Sequence, residues 1–217
     1  MQPQQCRLTL AALLAVALVV VAGILVSAER YGRRVAVGVL DARAAAALPL
    51  ANAALVGEIS KQRLLAAVLA EDSDIRALLS APDAATARAI GGKLKALAAD
   101  AGSSVLYIVG RDGVAVAASN FDAPDSFIGS DYAFRTYFSA AMADGRGFQY
   151  GLGTVSKRPG VYLSHRVDGP AGPLGVVVVK SELGRVEADW HDSGYTVFAS
   201  NADGIVLATS RPDWRFA

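Results

Sequence analysis

The hydrophobic rhythm of the chain changes twice. Residues 8–28 carry no charge. As a helix this run rises about 31 Å, enough to cross one hydrocarbon core. Residues 31–48 are Ala-rich with few breakers, and Pro49 then predicts a kink or a boundary. Over 50–79 the residues Leu55, Ile59, Leu64, Leu65, Val68, Leu69, Ile75, Leu78 and Leu79 recur at mixed three- and four-residue spacing, the stripe of an amphipathic helix. Ser80 is the expected N-cap of the next helix, with Pro82 and Asp83 in its first turn. That helix covers 84–101, carries Ile90, Leu94 and Leu97, and closes at Gly102.

From Ser103 the period becomes that of strands. A hairpin is predicted from 105–109 and 114–119 around the turn Gly110-Arg111-Asp112-Gly113, followed by a loop over 120–130. A short helix is expected over 132–143, then strands over 148–156, 161–167 and 175–180. The last contains four consecutive valines, which predicts burial on both faces. Ser181 is the expected cap of a helix reaching Trp190, with Glu182 in its first turn.

The chain then repeats itself. Asp112-Gly113-Val114-Ala115-Val116-Ala117-Ala118-Ser119 matches Asp203-Gly204-Ile205-Val206-Leu207-Ala208-Thr209-Ser210, each after an apolar strand. Two copies of one sheet module are expected. The second is only one hairpin long, too little to bury a core, so the chain reads as part of a longer protein. The predicted organisation is a cytoplasmic N-terminus at 1–7, a transmembrane helix at 8–28 and a helical stalk at 29–102. A membrane-distal PAS-like ligand-binding module follows at 103–192, then a truncated second PAS-like module at 193–217. The fold class is α+β, with antiparallel sheets.

Composition narrows the function classes. The chain has 217 residues, 53% hydrophobic, with a formal net charge of +1, so no positive field suits a nucleic acid. One cysteine excludes a disulfide framework, and two histidines leave little for histidine-based catalysis. Arg7 flanks the apolar run on one side and Arg30, Arg33 and Arg34 on the other, so local charge does not favour an N-inside orientation. A signal anchor, a cleavable signal peptide and a core helix are the alternatives. The length of the run exceeds a signal-peptide core and favours the anchor, although Val26 and Ala28 would suit cleavage. Cys6 stands at the membrane edge without the preceding apolar residues of a lipoprotein signal.

Six motifs then occur in order: Ala118-Ser119-Asn120; Pro124-Asp125-Ser126-Phe127-Ile128-Gly129; Tyr132-Ala133-Phe134-Arg135 with Tyr137-Phe138; Leu152-Gly153-Thr154 with Ser156; Pro159-Gly160 with Tyr162; and Gly175 to Lys180. Together they resemble the periplasmic double-PAS-like (dCache) region of DctB-type sensor histidine kinases for C4-dicarboxylates. The resemblance implies a bacterial inner-membrane protein with a periplasmic sensor, a homodimer, and a response regulator as downstream partner. It implies no cofactor in these residues, with ATP and magnesium belonging to a kinase domain elsewhere. It also implies that Tyr132, Arg135, Thr154, Ser156 and Lys180 line a dicarboxylate pocket, with Tyr150 and Gly153 as adjacent candidates.

The chemistry of these residues agrees. On a helix Tyr132 and Arg135 would share one face, with Phe134 and Phe138 on the core side. On a strand the hydroxyls of Thr154 and Ser156 would point the same way. Lys180 ends an all-valine strand and so presents a cation at the rim of a buried sheet. Arg135 suits bidentate capture of one carboxylate and Lys180 a point charge for the other. No Asp or Glu interrupts the strand motifs, so the expected site has nothing to hold an ammonium, which favours succinate, fumarate or malate over amino acids. His165 precedes an arginine in a strand and His191 lies near a loop, so neither suits a phosphoacceptor. The glycines at 145, 147, 151 and 153 do not form a dinucleotide fingerprint. No catalytic residues are therefore expected here. A chemoreceptor, a nucleotide cyclase or a non-transducing binding module are the alternative settings for such a sensor.

Overall fold

The computed structural model describes the backbone of residues 3–216 and the side chains of 13, 14 and 16–216. Cys6 and Arg7 lie outside the described side chains. Helix α1 runs from Pro3 to Ala70 with Pro49 in its interior. Pro49 therefore does not end the helix. It leaves the Ala45 carbonyl without an amide partner, but that stretch is exposed and water can serve instead. The chain divides beside it into two compact units, 1–50 and 51–217. In the first, the described apolar stretch is wholly unburied, and the helix qualifies by length and composition as a candidate membrane span.

In the second unit the long helical stripe is broken. Asp72 caps α2 (Ser73–Ser80), its Oδ1 accepting from the amides of Asp74 at 2.9 Å and Ile75 at 3.4 Å. Burial opposes ionisation of Asp72, but its ion pair with Lys93 and these amides outweigh burial and lower its pKa. Helix α3 spans Ala84–Ala101 and is capped by Asp83, not Ser80, because Asp83 reaches the amides of Ala85 and Thr86 while Ser80 ends α2. Gly102 closes α3 in the left-handed conformation, as expected. Leu64 and Val68, expected in the core stripe, are exposed, whereas Leu69, Ile75 and Leu78 are buried.

Five strands form one antiparallel sheet: β1 (Val105–Gly110), β2 (Ala115–Ala118), β3 (Arg146–Leu152), β4 (Pro159–Gly169) and β5 (Gly172–Ser181), ordered β2-β1-β5-β4-β3. Alternation sends the strand residues to two cores. Leu106, Ile108, Val177 and Val179 meet Leu69, Ile75, Leu78, Ile90 and Leu94 on the helical side. Tyr107, Val109, Val176 and Val178 meet Phe127, Tyr132, Tyr137 and Phe138 on the other. All four valines 176–179 are fully buried, as the run predicts. Helix α4 (Thr136–Asp144) lies across this second face, and Gly147 lets it approach, since a Cβ there would strike the Tyr137 carbonyl.

Helix α5 (Gly184–Asp192) follows β5. Ser181 is not its cap but the last residue of β5, and Leu183 enters the helix with φ 55°. The hairpin of β6 (Phe198–Ser200) and β7 (Val206–Thr209) follows, and a third cluster joins Leu183, Val186 and Trp190 of α5 to Ala51, Leu163 and Ala208. The mixed architecture of a long N-terminal helix and an antiparallel sheet is the one read from the sequence.

Candidate functional site

The β3-β4-β5 register sets Gln149 opposite Tyr162, and Tyr162 opposite Lys180. Opposed residues share a face, so these three form one row across the sheet on the tyrosine-rich side. Tyr162 and Lys180 are both buried. The Lys180 ammonium donates to Ser156 Oγ at 2.8 Å and to Glu182 Oε1 at 2.7 Å. The other Glu182 oxygen lies 3.6 Å from Arg158, at the surface.

Above this row sits the segment before α4. Tyr132 and Arg135 are not on the helix, because the chain there is tied to the β1–β2 turn. Asp131 bridges to Val114, Tyr132 N donates to Gly113 O at 2.8 Å, and Asp131 Oδ1 accepts from Ala133 N at 2.8 Å. Arg135 is the N-cap in an extended conformation, with the helix starting at Thr136. Tyr132 and Arg135 still reach the same face of the sheet. Phe134, expected in the core, is instead 65% exposed. The buried Arg135 donates from Nη2 to the Leu152 carbonyl at 2.8 Å, and its guanidinium stacks near Tyr162 at 5.7 Å and Phe134 at 5.1 Å. Arg135 Nη1 and Gln149 Nε2 both lie over Gly151, each 3.6 Å from where a Cβ would stand, an ordinary contact distance.

The wall is a turn, not a strand. β3 ends at Leu152, and residues 154–156 turn back so that Lys157 N donates to Gly153 O at 3.0 Å. Thr154 and Ser156 therefore do not share a strand face: Ser156 points to Lys180, whereas Thr154 is exposed and makes no side-chain hydrogen bond among the described residues. Gly153 is buried, and a Cβ on it would meet Ser156 Oγ and come within 3.0 Å of the Tyr162 hydroxyl. Tyr150 faces away by the alternation of β3, and its hydroxyl donates to the Leu207 carbonyl at 2.7 Å. Of the sequence candidates, the structure thus brings together Tyr132, Arg135, Gly153, Ser156 and Lys180, but not Thr154 or Tyr150.

Buried polar atoms ordinarily find partners. Among the described residues five buried side-chain polar atoms have none, and four of them belong to this face: Tyr132 OH, Arg135 Nε, Gln149 Oε1 and Tyr162 OH. Burial pushes Tyr162 up to about 12, against the pull of Arg135, and likewise raises Tyr132. Both phenols are therefore neutral donors at physiological pH. The remaining tyrosines form the floor, with Tyr107 and Tyr137 sharing a 2.6 Å hydrogen bond and Tyr137 stacked on Tyr162 at 5.2 Å. Donors, two cations and a carboxylate acceptor at the rim suit a small anion with more than one oxygen-bearing end.

Sequence reasoning missed Gln149, Tyr162 and Glu182. Tyr162 was within reach, as part of the Pro159-Gly160 motif and two residues into a strand facing the valine run. Glu182 was not, because a helix was expected to begin at that point.

No family model matches the chain. It is 48% identical over 202 residues to the C4-dicarboxylate transport sensor protein DctB of Rhizobium meliloti, covering 93% of this chain and 32% of that protein. The chain thus spans about a third of the length of that curated relative. The sensor domain of the histidine kinase DctB from V. cholerae superposes with a TM-score of 0.73 at 27% identity, over 78% of this chain and 66% of that one. The ligand-binding domain of the amino-acid chemoreceptor PctC of Pseudomonas aeruginosa, solved with GABA, shares the fold alone, with a TM-score of 0.60 at 20% identity over 77% of this chain and 75% of that one. The resemblance to DctB-type sensors holds along nearly the whole chain.

Proposed function

We propose that the chain is the extracytoplasmic sensor region of a DctB-type protein and binds a C4-dicarboxylate on the tyrosine-rich face of the five-stranded sheet. The carrying observation is the convergence of three unpartnered buried donors, Tyr132 OH, Tyr162 OH and Arg135 Nε, on the face that also holds the buried Lys180. One carboxylate takes the guanidinium of Arg135, with the Gln149 amide nitrogen Nε2 and the Tyr132 hydroxyl beside it as donors. The other takes Lys180, with Ser156 and the Tyr162 hydroxyl. Each charge-assisted bond contributes about 1.5–3 kcal/mol, and association costs leave an affinity of micromolar order. The candidate span at the N-terminus anchors the sensor in the inner membrane, with the module in the periplasm. Exposed Leu64 and Val68, one turn apart on α1, offer a contact to a second copy. In the whole protein, ligand binding controls autophosphorylation from ATP and magnesium and phosphotransfer to a response regulator.

A second reading has one observation in its favour. Glu182 places a carboxylate at the site, which could hold the ammonium of an amino acid. Calorimetry on the chain in detergent, with succinate, fumarate, malate, acetate and amino acids, separates the two. We expect the dicarboxylates alone to bind. Arg135→Ala is expected to weaken succinate by at least about 100-fold, the loss of two charge-assisted bonds, while Arg135→Lys recovers part of it. Unchanged succinate affinity in Arg135→Ala would retire the site, and binding of amino acids alone would replace the ligand class.

A further inference from the structure

Glu182 is the residue that the ligand chemistry does not account for. Lys180 is fully buried, and a buried cation needs an anion close by. Glu182 supplies it, from the residue just beyond β5, with its second oxygen turned toward Arg158. Glu182 is partly exposed, and Arg158 largely so. The carboxylate therefore sits at the mouth between an interior cation and a surface one.

We propose that Glu182 is an internal stand-in for one carboxylate of the ligand, which must displace it from Lys180 to bind, and that its release resets α5 against α1. The proposal rests on the dicarboxylate reading of this site. The charge balance argues for displacement. Arg135, Lys180 and Glu182 together leave one net positive charge. A ligand with two negative charges would invert that balance if Glu182 stayed, with two carboxylates crowded on one ammonium. The third donor of Lys180 does not remove this conflict, because the repulsion is between the anions. If Glu182 swings to Arg158, the interior becomes neutral, and the move is short because the pair is already 3.6 Å apart.

The position of Glu182 makes its departure mechanical. The next residue is Leu183, a non-glycine held at φ 55°, a conformation that persists only where its surroundings enforce it. Leu183 opens α5 and is buried with Val186 and Trp190 against Ala51, and Trp190 Nε1 donates to the Ala51 carbonyl at 3.1 Å. One turn beyond Leu183, Glu187 accepts from Thr209 N at 3.0 Å and pairs with Arg215 at 2.5 Å. One short helix thus joins the site to α1 and to the β6–β7 hairpin, and its first residue borders the exchangeable carboxylate.

The test is calorimetry with succinate on the chain in detergent, comparing wild type with Glu182→Gln. If the held state outweighs the open one about tenfold, removing the stand-in tightens succinate by about that factor, since apparent affinity scales with the competent fraction. Trp190 gives a second readout. There are two tryptophans, so a Trp214→Phe background leaves Trp190 as sole reporter. Its emission should change when succinate binds, and Glu182→Gln should show part of that change without succinate. If Glu182→Gln does not fold, Glu182→Asp, whose shorter arm reaches Lys180 poorly, should show the same tightening. Equal or weaker succinate affinity in the variants, or a Trp190 signal indifferent to succinate, overturns the proposal. If the wild-type chain binds no dicarboxylate, the functional reading fails first and this one with it.

Discussion

The two hairpins β1–β2 and β6–β7 are the same object in different surroundings. Every element of the first recurs in the second with an offset of 91 residues. Tyr107 pairs with Ala118 and Phe198 with Thr209; Val109 pairs with Ala115 and Ser200 with Val206; the register shifts at the same step in both. Ser119 Oγ accepts from Leu106 N at 3.0 Å, and Ser210 Oγ accepts from Val197 N at 2.9 Å. Gly113 and Gly204 both turn at φ 85°. Yet β1 also pairs with β5 and is fully buried from Leu106 to Val109, while β6 has β7 as its one described partner and Phe198 is 53% exposed. Local chemistry writes the hairpin, and the neighbours decide what it contributes to stability.

That difference can be broken most sharply at matched positions. Tyr107→Ala should cost about 3–5 kcal/mol, as for a buried aromatic, while Phe198→Ala should cost less than about 1 kcal/mol. Denaturant unfolding of the two variants checks this, and equal costs would mean the second hairpin is covered in solution. Next in size is the turn glycine. A Cβ on Gly113 would lie 2.8 Å from the backbone of Ala133, whereas nothing lies within 4 Å of one on Gly204. Gly113→Ala should therefore lose about 2–4 kcal/mol by clash and strain together. Gly204→Ala should lose about 1 kcal/mol, from the left-handed backbone alone.

The smallest effect at neutral pH sharpens the comparison through titration. Burial raises Tyr107, Tyr132 and Tyr137 above the ordinary 10.0 and takes Tyr162 to about 12. A phenol whose folded-state pKa exceeds its unfolded value contributes stability that is complete below the unfolded value. That stability is lost as pH rises toward the folded value. The first module should hold its stability to about pH 10 and lose it between 10 and 12, followed by tyrosinate absorbance and melting temperature. Tyr162→Phe should blunt the loss, and replacing Phe198 by another apolar residue should leave it unchanged.

Much of the candidate site was legible because its residues are either rare in their context or close in sequence. A lysine directly after four valines stands out as a cation at the end of a buried strand, and Arg135 stands out in an apolar segment. Thr154 misled because its reading assumed that β3 continued, and the turn at 154–156 breaks the alternation on which it rested; Tyr150 was a candidate by adjacency alone, and the alternation of β3 itself turns it away. Arg135 reached the site by a different route from the one expected, since Asp131 and Gly113 hold its segment off the helix.

From sequence alone came the candidate span, the change from helices to strands near Ser103, the doubly buried valine strand and the 91-residue repeat. All are set by composition and periodicity over a few neighbours. Tertiary structure alone decided that Tyr162 and Gln149 stand in one row with Lys180 and that Glu182 holds the buried ammonium. Those depend on strand register and on which side of a turn a side chain emerges, and a shift of a single residue reverses both.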